Sequence, residues 1–178
     1  MSLLKFLGYG QAEPADAARD TETVHRIITE LERLDRDRAR YLAAFAYVLA
    51  RVAHADQEFD GVEIALMTKF VVELGHLSEA QAVLVVQIAR SQTELFGGTE
   101  DFLVTRQFRE MSTEAQRREL LDCVFAVSAA DDSISAAEES RIRQIASELG
   151  IDHAGFVAAR AEYSDKRDII RAFRKSVG

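Results

Sequence analysis

The chain of 178 residues has few of the residues that cross-link a fold or interrupt its helices: one cysteine and one proline. A single cysteine excludes an internal disulfide framework and is typical of a reducing compartment. No apolar run reaches the roughly 18 residues needed to cross a bilayer, so we expect no membrane-spanning helix. Because Pro14 is the only proline and strand-like alternation is almost absent, the sequence predicts helices throughout.

Basic residues are also in the minority. The chain has 22 Lys and Arg against 30 Asp and Glu, which gives a net charge of −8. Binding to nucleic acid depends on clustered Lys and Arg, so this balance argues against a nucleic-acid partner and leaves cations and protein surfaces. The apolar opening Met1 to Tyr9 has one lysine and no cleavage site after a long apolar core, which argues against a secretory signal. We expect a cytoplasmic protein.

Apolar residues recur at spacings of three and four and predict an all-α fold of about eight helices. Residues 1–20, which end in the small and polar run Gln11 to Asp20, are expected to be a flexible N-terminal segment. Residues 21–178 are expected to form a single helical domain. The helix predicted from Asp35 to Ala55 has Arg51 as its only charge between Tyr41 and His54, so we place it in the middle of the core.

One segment of the sequence occurs twice. Residues 52–75 and 127–150 align without a gap at an offset of 75, with seven identities in 24 positions. The identical pairs are Val52/Val127, Ala55/Ala130, Asp56/Asp131, Glu63/Glu138, Glu73/Glu148, Leu74/Leu149 and Gly75/Gly150. The predicted core positions match as well, so we expect halves of about 35–98 and 110–175 with a pseudo-two-fold relation. Gly75 is placed to be the C-terminal cap of its helix.

Each copy begins with an acidic turn, and this turn is the candidate site. Asp60 with Glu63, and Ser135 with Glu138, have capping-box spacing, which explains these positions without any ligand. Capping does not explain the remaining carboxylates. Hard divalent cations are bound by closely spaced carboxylate and hydroxyl oxygens together with turn carbonyls, so a weak Ca²⁺ or Mg²⁺ site is predicted. The candidate metal ligands are Asp56, Glu58, Asp60, Glu63, Asp131, Asp132 and Glu138.

Neither turn is an EF-hand loop. The first turn has acidic residues at relative positions 1, 3 and 5 and Gly61 at position 6, as an EF-hand does. The glutamate required at position 12 is replaced by Met67 in the first copy and by Ile142 in the second. Because both positions are expected in the core, backbone carbonyls and water would have to complete the shell of a bound cation.

The duplicated turn resembles that of the tellurite-resistance TerB family and of TerB-like domains, some of which are fused to DnaJ-type co-chaperones. The motif is Ala-Asp-x-x-[Ile/Val/Phe]-[Ser/Asp]-x-x-Glu, here from Ala55 to Glu63 and from Ala130 to Glu138. The resemblance covers about Asp35 to the C-terminus. It implies an all-helical, cytoplasmic, stress-associated module with an acidic surface that binds metal ions and works in membrane-associated protein assemblies. Gln57 and Asp132 stand where family members usually have glycine.

Catalysis has no positive support in the sequence, and we expect no enzyme. Cys123 lies in an apolar helix and is predicted to be a buried, inert thiol. Three functions stay open: a cation-responsive interaction module, a metal-independent adaptor of co-chaperone type that docks basic partners, and a metal-dependent hydrolase. The apolar residues of Met1 to Tyr9 are expected to dock in a protein groove, in this molecule or a neighbour.

Overall fold

The computed structural model describes residues 21–53, 61–92, 99–129 and 134–164. Within these ranges every regular element is helical, and none of the helices is long and apolar enough to cross a membrane. The helices are α1 (Thr21–Glu32), α2 (Arg36–Ala50), α3 (Gly61–Glu73), α4 (Glu79–Gln92), α5 (Thr99–Met111), α6 (Glu114–Ser128) and α7 (Ala136–Glu148). An eighth helical stretch, α8, covers residues 153–164. The prediction of an all-α fold is confirmed.

Capping side chains set the starts of several helices. The carboxylate of Asp35 accepts a hydrogen bond from the backbone N–H of Arg38 and caps α2. Thr113 and Gln116 form a capping box at the start of α6. Ser78 and Gln81 exchange the corresponding pair of bonds before α4, at 3.4 Å each. Local sequence therefore determines where these helices begin, and α2 begins next to Asp35, as predicted.

The prediction that α2 lies in the middle of the core is confirmed. Its residues from Tyr41 to Leu49 are all buried, and the helix packs against α1, α4, α5 and α6. The rings of Tyr41 and Phe45 lie close to that of Phe108 in α5. A helix that is apolar around its whole circumference must be covered on all sides, and its neighbours supply that cover.

The two helices that follow the acidic turns correspond in length and position. Helices α3 and α7 each have 13 residues, and their first and last residues are 75 apart. Met67 and Phe70 of α3 are buried, as are Ile142 and Ile145 at the matching positions of α7. The matching core positions expected from the repeat are thus observed. The pseudo-two-fold relation and the domain limits stay predictions.

The C-terminal ends of these helices differ. Gly150 has a φ of +75°, and the bonds Gly150 N–H to Ser147 O and Ile151 N–H to Ala146 O form a Schellman motif after α7. After α3 the left-handed residue is His76, with a φ of 50°, so the prediction that Gly75 is the cap is wrong. The last turn of α3 is wider, because the N–H of Gly75 reaches the carbonyl of Phe70.

Gly75 is needed for close packing instead. A Cβ at this position would lie 2.7 Å from the carbonyl oxygen of Val71, 3.1 Å from the ring of Phe45 and 3.2 Å from Sγ of Cys123. The absence of a side chain allows the end of α3 to approach both α2 and α6.

Candidate functional site

The acidic turns follow α2 and α6, the two helices with the longest buried runs. Five of the seven candidate ligands lie outside the described residues: Asp56, Glu58, Asp60, Asp131 and Asp132. Glu63 belongs to the first turn of α3, and its side chain is not among those that the structure describes. Only Glu138 has described contacts, so most of the predicted cation site stays a prediction.

Glu138 forms the predicted capping box with Ser135. The backbone N–H of Ser135 donates to the Glu138 carboxylate at 2.7 Å, and the N–H of Glu138 donates to Oγ of Ser135 at 3.3 Å. The carboxylate also lies at the positive end of the α7 dipole. Capping therefore explains why an acidic residue occupies this position, and it uses one of the carboxylate oxygens that a cation would need.

Arg51, just before the first acidic turn, connects that turn to α7. Its guanidinium lies 2.5 Å from the carboxylate of Glu148, and both side chains are only 7% exposed. The same guanidinium donates to Oγ1 of buried Thr105 at 2.6 Å. Arg141, also in α7, donates to the backbone carbonyl of Arg51 at 3.3 Å. A buried charge requires such partners, and here they join α2, α5 and α7.

Through this network α7, the helix that follows the second acidic turn, contacts Arg51, the residue that comes just before the first acidic turn. Arg141 is six residues beyond Ser135, which corresponds to about 9 Å along a helix axis. Because the Arg141 side chain contacts the Arg51 carbonyl, the start of α7 lies about 9 Å from the position of Arg141, measured along the helix axis. The sequence contained a signal for this network, because Arg51 is the lone charge between Tyr41 and His54. It did not identify Glu148 as the partner.

No group of three or more His, Cys, Asp or Glu side chains in the described ranges is arranged to hold a metal ion. His76 and His153 are both exposed. The predicted burial of Cys123 is confirmed: its thiol is inaccessible to solvent and lies 3.6 Å from the carbonyl oxygen of Phe70, to which it donates. Burial, together with the charge of Glu119, raises the pKa of Tyr41 to about 12, so this phenol is neutral at physiological pH.

An open groove of about 530 Å³ lies between α5 and α7. Its lining is formed by Phe102, Arg106, Arg109, Glu110, Ser147 and Glu148. Phe102 is 49% exposed and its neighbour Leu103 is 38% exposed, which is unusual for large apolar side chains among the described residues. The sequence did not indicate this groove, because its two walls come from helices that are distant in the chain.

These elements define the class of protein: a helical bundle in which a unit of helix, acidic turn and helix occurs twice. Residues 41–161, about two-thirds of the chain, match the model of the family described as Tellurite resistance protein TerB, and the match includes both turns. The chain belongs to the TerB family. No curated protein and no solved structure matches it significantly.

Proposed function

We propose that the chain is a non-enzymatic, cytoplasmic TerB-like module that binds a divalent cation weakly at its acidic turns and engages protein partners in a stress response. The observation that supports it is the repetition of the acidic turn at a fixed offset within a segment that matches the TerB family. The family is described as a tellurite-resistance family, and we extend that role to this chain as part of the proposal.

The proposed ligands are Asp56, Glu58 and Asp60, assisted by Glu63, with Asp131 and Asp132 joining if the turns meet. Glu138 is the weakest of the predicted ligands because its carboxylate already caps α7. Clustered carboxylates repel one another, so a cation would stabilise the fold by removing that repulsion as well as by ligation. Without a bidentate glutamate, a dissociation constant on the order of 10⁻⁴ to 10⁻³ M is expected.

Calorimetric titration of the full chain with Ca²⁺ and with Mg²⁺ tests the cation site. Asp56→Asn should abolish the heat and the accompanying rise in melting temperature. Asp37→Asn is the matched control, because Asp37 is an exposed carboxylate in the first turn of α2. Its loss should leave both signals unchanged.

A second experiment tests the partner. Proteins captured from source cells by the immobilised full chain should depend on millimolar Ca²⁺ or Mg²⁺ and should be lost with a chelator. Capture that is unaffected by the chelator and by Asp56→Asn would instead support the metal-independent adaptor. Hydrolytic turnover that requires the metal would contradict a non-enzymatic role.

A further inference from the structure

The groove between α5 and α7 combines an exposed apolar end with a basic end. Phe102, Arg106 and Arg109 follow one another at spacings of four and three residues, so they form one stripe along the face of α5. Phe102 lies nearest the start of the helix, and the two guanidinium groups follow one and two turns later. An apolar patch is therefore continued by positive charge in a protein whose net charge is −8.

The carboxylates of the groove cancel only part of this positive charge, because they leave Arg109 without a counter-charge in the described ranges. Glu148 is buried and paired with Arg51 behind the groove, and Glu110 pairs with Arg106 at 3.2 Å. Arg109 makes no hydrogen bond or ion pair with another residue of the described ranges. Its planar guanidinium is suited to binding a carboxylate with two parallel hydrogen bonds.

We propose that this groove is the docking site for residues 1–20 of the same chain. The sequence of that segment has the complementary order: apolar residues first, then the carboxylates of Glu13 and Asp16. The apolar residues are Leu3, Leu4, Phe6, Leu7 and Tyr9. Running parallel to α5, the segment would cover Phe102 with apolar side chains and bring its carboxylates to Arg106 and Arg109. The proposal is independent of the cation site.

The chain between the segment and the domain is long enough. Helix α1 and helix α5 both pack against α2, so their axes are separated by at most two interhelical spacings, about 20 Å. Eight residues join Glu13 to Thr21 and can span about 27 Å when extended, and the fifteen from Phe6 can span about 50 Å. Both reaches exceed the separation of the helix axes. Asp16 is five residues from Thr21 and spans about 17 Å, so its contact with an arginine of the groove also requires the length of the extended arginine side chain.

Paramagnetic broadening in the full chain tests the docking directly. A nitroxide is attached to the variant Ser2→Cys, where labelling is selective because Cys123 is buried. Amide signals of α5 should broaden most strongly around Phe102 and progressively less towards Arg109 and the start of α6, because the label lies next to the apolar residues that are proposed to cover Phe102. Absence of broadening along α5 would overturn the proposal.

Variants of the groove sharpen the test. Phe102→Ala should reduce the ratio of docked to undocked segment by a factor of about five, because roughly half of a Phe side chain is left to bury. Val83→Ala is its control, since Val83 is 42% exposed on α4. Arg109→Glu should abolish the broadening, whereas Arg118→Glu, on an exposed face of α6, should not alter it.

Charge exchange distinguishes a direct contact from a general electrostatic effect. Glu13→Arg and Asp16→Arg together should restore broadening in the Arg109→Glu background and reduce it in the parent chain. Failure of this rescue contradicts the proposed pairing. A second sample mixes ¹⁴N protein that carries the nitroxide with ¹⁵N protein that has no nitroxide. Broadening of the ¹⁵N signals in this mixture would show docking into a second copy and would overturn the intramolecular assignment.

Discussion

Helices α3 and α7 have the same length and the same place in the repeat, but they have different surroundings. Glu73 and Glu148 are identical residues at matching positions, and each ends its helix. Glu73 is exposed, whereas Glu148 is buried against Arg51. The position of Arg51 in the second copy is occupied by Ala126, so the second half has no counterpart of this cation.

The difference arises from the neighbours of each helix. Helix α3 packs against α4 and α6, whereas α7 packs against α5 and α6. Both copies have apolar residues at the positions that bury one face of the helix. The partner of a polar residue, in contrast, depends on which neighbouring helix faces it. A repeat in the sequence therefore predicts the inward face of both helices and does not predict equal roles for their polar residues.

Loss of the Arg51–Glu148 pair should give the largest effect. Glu148→Ala leaves a buried guanidinium without its counter-charge and is expected to cost about 3 to 5 kcal/mol of unfolding free energy. Glu73→Ala, the same change at the matching exposed position, should stay within about 0.5 kcal/mol. Urea unfolding at neutral pH measures both.

The double variant Arg51→Met with Glu148→Leu separates pairing from packing. Because it removes both charges and retains most of the volume, it should be more stable than either single replacement. If Glu148→Ala and Glu73→Ala proved equally mild, the proposed asymmetry of the two copies would be wrong.

The second largest effect is expected at Tyr41. The residue 75 positions later is Gln116 of the α6 capping box, so the second half has no equivalent tyrosine. Its hydroxyl is buried and has no hydrogen-bond partner in the described part of the chain. Its pKa is about 12 in the folded protein against 10.0 ordinarily. The unfolded chain therefore ionises first, so this contribution is complete below pH 10 and is lost as pH rises towards 12.

We expect Tyr41 to account for about 2 to 3 kcal/mol of the stability lost across this pH interval. Tyr41→Phe should be neutral or slightly stabilising at pH 7, since it removes an unsatisfied hydroxyl. It should also lose less stability than the parent between pH 10 and 12. Identical alkaline unfolding of the two proteins would exclude the contribution.

Gly75→Ala tests the difference between the two helix ends. The added methyl group would contact backbone, the Phe45 ring and Cys123, and we expect a loss of about 1 to 3 kcal/mol. Gly61→Ala at the start of the same helix is the control, because a Cβ there meets nothing within 4 Å.

His76→Gly should stabilise the protein by up to about 1 kcal/mol by relieving the left-handed backbone. A loss on His76→Gly would argue against that conformation.

Local patterns predicted most of the fold. Asp35 and Ser135 lie where helices begin, and the charge-free stretch after Tyr41 correctly identified the central helix. These features depend on interactions within a few residues of sequence. The Arg51–Glu148 pair and the packing of Gly75 could not be predicted in the same way, since they join helices separated by dozens of residues. Of the candidate cation site, only the capping role of Glu138 has described contacts, and ligand binding stays a prediction.

The smallest effect concerns the caps of α3 and α7. Ser135→Ala removes the acceptor for the Glu138 N–H and should cost about 1 kcal/mol, independently of Ca²⁺. At the matching position Asp60→Ala should cost a similar amount without cation and more with millimolar Ca²⁺, because Asp60 is proposed both to cap α3 and to bind the ion. Thermal unfolding of both variants, each with Ca²⁺ and with a chelator, measures this difference. An Asp60→Ala penalty that is the same in the two conditions would assign Asp60 to capping alone and remove it from the proposed ligands.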